Sequence, residues 1–262
     1  MNIVVLIKQV PDTTDVKIDP ETNTLKREGV ESIINPFDMY AIEEALRVKE
    51  RFGEGEVVVI SMGPPQAEEA LKEAISMGCD KAILLSDRKF AGSDTWATSY
   101  TLSRALTKLG DCQLIFCGKQ ASDGDTAQVG PGVSTHLDIP QVTYVKKIEK
   151  IDKDNATVER MTEEGYDIIE TPLPALFTVV KEINEPRLPS LKGKMKAKKA
   201  EIPVWTADDL GCDDAKIGLD GSPTRVVKIF TPPPREGGRM LEGEPEEKAK
   251  ELAELVKAAI LG

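Results

Sequence analysis

Histidine is almost missing. The 262 residues hold one, His136, which excludes metal centres built on several histidines and any chemistry that needs a histidine pair. Basic residues are in deficit: Lys plus Arg is 34 against Asp plus Glu at 45, a formal charge of −11. That argues against nucleic acid as the main partner, because phosphate binding needs a basic footprint. Four cysteines occur, at 79, 112, 117 and 212, with no CxxC spacing. They point to a reducing compartment and to no zinc site. Long apolar runs are absent too. The opening "NIVVLI" has no basic leader and is too short for a signal peptide or a membrane span, so the expected location is the cytoplasm. There is no P-loop, GxSxG or HExxH, and nothing pairs a nucleophile with a base.

What is present alternates. "NIVVLI", "EVVVISM", "KAILLS" and "CQLIF" read as buried strands, separated by stretches with helical spacing at 37–52, 64–77 and 93–110. Ala41, Ala45, Leu46 and Val48 mark the buried face of the first helix. Asp94 or Ser93 is placed to cap the third, and Gly110 to end it. A fourth helix is expected from about Thr126 to Leu137, with Pro131 making it irregular or late-starting and His136 near its end at the surface. Near-continuous apolar strands between amphipathic helices predict a doubly wound α/β layer on a mainly parallel sheet. Two departures follow. Residues 12–34 hold no helix and read as a hairpin turning at Pro20–Asn23. After Pro140 three strand-like segments, the last of them "PALFTVV", predict an antiparallel extension. The division expected is an α/β nucleotide-binding domain over 1–184, then a docking loop and extended arm over 185–262 that ends in a helix at about 245–261.

The segment "CGKQASDGDTAQVGPG" (117–132) leaves a buried strand and turns small and polar. In open parallel sheets ligands bind beyond the carboxyl ends of the strands. "KQVPD", "MGPP" and this segment all fall at such ends, and "INPFD" (34–38) leads into the first helix. The long segment runs into a helix N-terminus, with Asp125 or Thr126 placed to cap it and free N–H groups that suit an anion. Gly118 and Gly124 allow close backbone approach. Asp123 and Asp125 suit ribose hydroxyls or the cap. A nucleotide cradle and an ordinary polar loop both fit the spacing. "GPGVST" (130–135) imitates part of a dinucleotide fingerprint but does not directly follow a strand.

Four stretches occur together and in order: "NPFD", "GKQASDGDTAQVG", "VER…EEGYDIIETPLPALFTV" and "NEPRLPSLKGKMKAKK". Over nearly its full length the chain resembles the β subunit of electron-transfer flavoproteins. The resemblance implies an adenine-nucleotide-hydrolase-like fold and a heterodimer with an α subunit that carries FAD. It places nucleotide contacts at Leu6, Asn35, Pro36, Phe37, Asp38 and Met62. Further contacts run through Gly118, Lys119, Gln120, Ala121, Ser122, Asp123, Gly124, Asp125, Thr126, Ala127, Gln128 and Val129. The nucleotide is AMP in the simple kind and a second FAD in the electron-bifurcating kind. The small residues Gly124, Thr126 and Ala127 resemble the bifurcating branch, which implies NADH as electron donor and ferredoxin or flavodoxin as one acceptor. Drift around AMP is the competing explanation. A universal-stress-like nucleotide sensor is a further alternative, and the long arm after Glu185 speaks against it. The resemblance also makes Leu191 the anchor of a loop that docks on an acyl-CoA-type dehydrogenase, with Lys192, Lys194 and Lys196 around it. As residues alone, five lysines within Leu191–Lys199 are equally a solvated basic face.

Overall fold

The computed structural model describes residues 1–12, 32–227, 238 and 240–261; the hairpin expected around Pro20–Asn23 lies outside them. In chain order the first half comprises β1 (Ile3–Ile7), β2 (Gln9–Pro11), β3 (Ser32–Ile34), α1 (Pro36–Phe52), β4 (Val57–Met62), α2 (Glu68–Met77), β5 (Lys81–Leu85), α3 (Thr95–Leu109) and β6 (Leu114–Gly118). The second half comprises α4 (Val129–Leu137), β7 (Gln141–Ile151), β8 (Asn155–Met161), β9 (Tyr166–Pro172), β10 (Ala175–Val179), α5 (Leu191–Lys199), β11 (Val204–Trp205), α6 (Ala207–Leu210) and α7 (Pro245–Leu261).

Local chemistry explains the boundaries. Pro36 opens α1, where its missing N–H is no loss. Ala41, Ile42, Ala45, Leu46 and Val48 then face inward. Gly53, at φ 69°, ends the helix in the left-handed conformation and donates its N–H to the Lys49 carbonyl. Asp94 caps α3 by accepting from the N–H groups of Trp96 and Ala97 at 2.9 and 3.1 Å.

The main sheet has the order β11-β5-β4-β1-β6-β10-β7-β8-β9. From β11 to β7 every pairing is parallel; β7, β8 and β9 are antiparallel. The short pair β2–β3 stands apart. One core, under α1 and α2, holds Val5, Val57, Val59, Phe116 and Phe177. A second, under α3, α4 and α6, holds Val4, Leu6, Ile60, Ile115 and Leu176. The fold is therefore the doubly wound α/β layer, with its antiparallel extension at one edge.

One expectation needs correction. "PALFTVV" is not antiparallel: β10 lies inside the sheet, parallel to both β6 and β7. All five of its residues are buried. A strand covered on both faces reads as a continuous apolar run, which is the pattern of a parallel interior strand.

The chain divides into two compact units, Met1–Val227 and Lys228–Gly262. Residues 185–227 fold onto the first. Ala197 of α5 joins the core under α1 and α2, while Ala207, Leu210 and Ile217 join the other. β11 extends the sheet beyond β5. The second unit contains α7, on which Leu252, Leu255, Val256 and Ile260 are exposed.

Candidate functional site

The strand order reverses at β1, which has β4 on one side and β6 on the other. The crevice between the carboxyl ends of β1 and β6 is the topological switch point, where ligands bind in such sheets. Leu6 pairs with Cys117 at its floor. Loop 119–128 leaves from the end of β6, and the N-terminus of α1 stands beside it.

Asn35 and Asp38 are buried. The Asp38 carboxylate accepts from the Lys8 N–H at 2.7 Å and from the Gly118 N–H at 3.0 Å, so it spans the crevice. The Asn35 amide donates to the Gln120 carbonyl at 2.9 Å and accepts from the Ser122 N–H at 3.0 Å. Asn35 N–H also bonds the Lys8 carbonyl at 2.8 Å. Burial pushes Asp38 up to about 7, against the opposing pull of its bonds from Lys8, Asn35 and Gly118. The folded-state value lies above the unfolded one. Stability present in acid is therefore lost as pH rises towards 7. Ionising Asp38 costs stability and holds the loop.

The loop itself is a series of turns. The Ala121 carbonyl accepts from the N–H groups of Gly124 and Asp125 at 3.3 and 2.8 Å. Lys8 pairs with Asp123 at 2.6 Å. Lys119 turns away, its ammonium over the rings of Phe37 and Tyr144 at 5.0 and 5.7 Å. Gln120 donates to the Asp125 carboxylate. Gln128 accepts from the Thr95 hydroxyl at 2.8 Å, and Ser99 donates to the Val129 carbonyl at 3.2 Å. Pro36 and Phe37 form the first turn of α1, and Met62 ends β4 half-buried. Thr126 is exposed.

Three readings from the sequence change here. Neither Asp125 nor Thr126 caps α4: Gln128 holds the N-cap position, with no side-chain bond. Asp125 and Ala127 take φ of 53° and 54°, and these left-handed residues delay the helix to Val129. Pro131 then falls in the first turn, where it is tolerated. Gly118 is small for a different reason. A Cβ there would meet Asp38 Oδ1 at 2.5 Å and Phe37 Cβ at 2.6 Å, so its missing side chain admits α1. At Gly124 a Cβ would meet nothing within 4 Å, so open space begins there. His136 is half-buried, stacked near Trp96 at 4.4 Å. Burial pushes it below the ordinary histidine value.

A nucleotide fits these residues. The first intrahelical bond into α4 reaches Gly132 from the Gln128 carbonyl. The N–H groups just before it, at Val129 and Gly130, face the crevice end of the helix, where an anion is favoured. Lys8, the first residue of the "KQVPD" segment expected at this strand end, bonds the loop, and Thr95 and Ser99 of α3, not named among the expected contacts, bond its far end.

The lysine-rich segment lies apart, as α5 packed on α2. Ser190 caps it, accepting from the Gly193 N–H at 2.9 Å. A Cβ on Gly193 would lie 2.0 Å from the Ser76 carbonyl oxygen, so only glycine lets the two helices approach this closely. Leu191 is 79% exposed, and Leu188 and Met195 beside it are exposed as well. Lys192 and Lys194 are exposed. Lys196 differs from them: its ammonium donates to the Cys79 carbonyl at 2.9 Å, at the end of α2. No group of three metal-ligating side chains occurs among the described residues. No helix among them is long and apolar enough to cross a membrane.

Fold and crevice define a parallel α/β protein with a polar loop and a helix N-terminus at its switch point. The model of the electron transfer flavoprotein domain matches residues 22–210. The electron transfer flavoprotein subunit beta of Thermoanaerobacterium thermosaccharolyticum is 56% identical over 255 residues, covering 97% of both chains. That of Megasphaera elsdenii is 52% identical over 250 residues, covering 93% of this chain and 92% of its own. The caffeyl-CoA reductase-Etf complex subunit CarD of Acetobacterium woodii is 50% identical over 243 residues, with coverage of 93% and 92%. The chain belongs to the electron-transfer flavoprotein family, as a β subunit.

Proposed function

We propose that this β subunit binds FAD in the crevice between β1 and β6 and serves electron bifurcation in the cytoplasm. Bound there, the flavin would supply the redox chemistry: a hydride taken from NADH, one electron passed to ferredoxin or flavodoxin, and the other passed through the α-subunit FAD to an acyl-CoA-type dehydrogenase. The chain's own part is to bind and orient. Asn35 and Asp38 shape the loop, and the N-terminus of α4 receives the diphosphate. The observation that carries this reading is the open space at Gly124, followed by the small side chains of Thr126 and Ala127. The relative that forms part of a caffeyl-CoA reductase-Etf complex supports the dehydrogenase class.

Quantifying the nucleotides of the purified heterodimer tests this reading. Two FADs per αβ pair are expected. One FAD with one AMP would overturn bifurcation and leave the family standing.

The exposed stripe on α7 supports a place for the second unit on the α subunit, since such a stripe needs a partner surface. Ending the chain after Val227 should release free β during co-purification. Co-elution with α at low concentration would count against it.

A further inference from the structure

We infer that Asn35 and Asp38 are positioning residues, which hold the backbone of Gly118–Ser122 in its nucleotide-binding shape without touching the nucleotide. The inference rests on the cradle reading above. The family resemblance makes both residues contacts; their geometry assigns their polar atoms elsewhere. Both Asp38 oxygens are taken by backbone N–H groups, one on each side of the crevice. Both polar atoms of the Asn35 amide are taken by the loop, one at Gln120 and one at Ser122. The Asn35 amide also faces Asp38, so the two act as one unit. Behind them Gly118 leaves no room for a side chain. The "NPFD" turn thus fastens the loop at three backbone points, Gly118, Gln120 and Ser122.

A further tether, Lys8 to Asp123, is of another kind. Their side chains are 47% and 14% exposed, so water screens the pair in part.

Ionisation matters to this brace. Two N–H groups aimed at one carboxylate favour its charged form, while burial, the larger influence, pushes Asp38 up to about 7. The groups that face it are the Lys8 ammonium, the buried Cys117 thiol and the Asn35 amide. Lys119 is held over the Phe37 ring on the same turn. Acid removes one acceptor, so the loop loosens and nucleotide affinity falls.

The test uses the intact αβ heterodimer, stripped of nucleotide, with FAD as the probe. Asn35→Ala, Asp38→Asn and, as a control away from the crevice, Lys72→Ala, which removes an exposed pair with Glu68 on α2, are compared by FAD titration and by amide hydrogen exchange across residues 118–124. Asn35→Ala and Asp38→Asn should bind FAD roughly 10- to 100-fold more weakly, because each leaves a buried backbone group without its partner. Both should speed exchange in the loop before any FAD is added. Lys72→Ala should change affinity by less than about threefold. Wild-type affinity should drop as pH falls below about 7, and the Asp38→Asn profile should be flat over the same range. Weak binding with unchanged exchange would overturn the inference and make the pair direct contacts. Unchanged affinity would overturn it as well. If Asp38→Asn does not fold, Asn35→Ala carries the same comparison. If wild type takes up neither FAD nor AMP, the cradle reading fails, and the exchange measurement still decides whether the pair braces the loop.

Discussion

Replacing Arg187 by Ala should lower stability by about 3–5 kcal/mol, the usual effect of removing one partner from a buried ion pair. Arg187 belongs to "NEPR", the stretch that follows β10 and leads to α5. Its Nε donates to Glu43 at 2.7 Å, and its Nη1 to Glu50 at 2.5 Å. Its backbone N–H reaches Glu43 as well, at 3.1 Å. The Glu43 side chain is 4% exposed and Glu50 60%, so nearly all of the effect should come from Glu43. Burial disfavours ionised Glu43, yet the bonds from Arg187 and then Arg47 hold it below the usual carboxylate range. Arg47, paired with it at 2.8 Å, would remain but cannot reproduce the planar fork. A melting temperature lower by roughly 6–20 °C is expected at neutral pH, at about 2–4 °C per kcal/mol for a chain of this size. The Glu43 value is depressed on folding, so this stability exists above the unfolded carboxylate range and disappears as pH falls through the folded value. The gap between wild type and variant should therefore close in acid. Arg187→Lys, which keeps charge without the fork, should recover only part of the loss. A shift under about 2 °C for Arg187→Ala would mean that water reaches Glu43 and that the network is not holding the segment.

Leu191→Ala should weaken the proposed docking on a dehydrogenase by about one to two orders of magnitude. The side chain is 79% exposed in the free chain and sits on the first residue of a helix fastened to α2. Burying a leucine fully is worth roughly 1.5–3 kcal/mol, and each 1.4 kcal/mol is tenfold in affinity. Anchors seated in a pocket carry more than their share. Leu188 and Met195, exposed on either side, should show smaller losses. Neutralising Lys192 and Lys194 should instead slow association and flatten its salt dependence. Lys196 does not belong with them, since its bond to Cys79 makes it part of the α2–α5 contact. Electron delivery to the dehydrogenase, measured beside delivery to a dye in the same preparation, separates the possibilities. Equal loss in both would remove the anchor idea, because the fault would then lie in the fold or the crevice.

Much of this architecture is written in local pattern. The buried positions of α1 recur at helical spacing, Asp94 and Gly110 bracket α3, and the apolar strands announce a sheet covered on both faces. What was not legible is non-local. Pro131 announces a late start for α4, but nothing in Ala127 signals the left-handed backbone that sets it at Val129. The bonds of Asn35 and Asp38 reach backbone atoms some eighty residues away, which no local pattern announces. The packing that requires a glycine at 118 is non-local too, because the side chains beside it come from α1. The apolar run of β10 did carry the mark of an interior strand, but its neighbours alternate, and proximity in the chain was mistaken for likeness.

The place of β10 also bears on how the chain is made. β6 and β10 are side by side in the sheet, yet all of loop 119–128, α4 and the three antiparallel strands lie between them in sequence. On the ribosome the first four parallel strands emerge with the hydrogen-bonding edge of Leu114–Gly118 uncovered. At roughly 5–20 residues per second, several seconds pass before Ala175–Val179 arrives to cover it. During that interval the nascent sheet offers an apolar, unpaired edge of the kind that recruits other chains. The meander of β7, β8 and β9 forms from near neighbours and can be complete by then, so the strand that closes the gap enters between two finished pieces. Aggregation during synthesis should therefore respond most to substitutions in β10, and to anything that slows translation between Gly118 and Ala175.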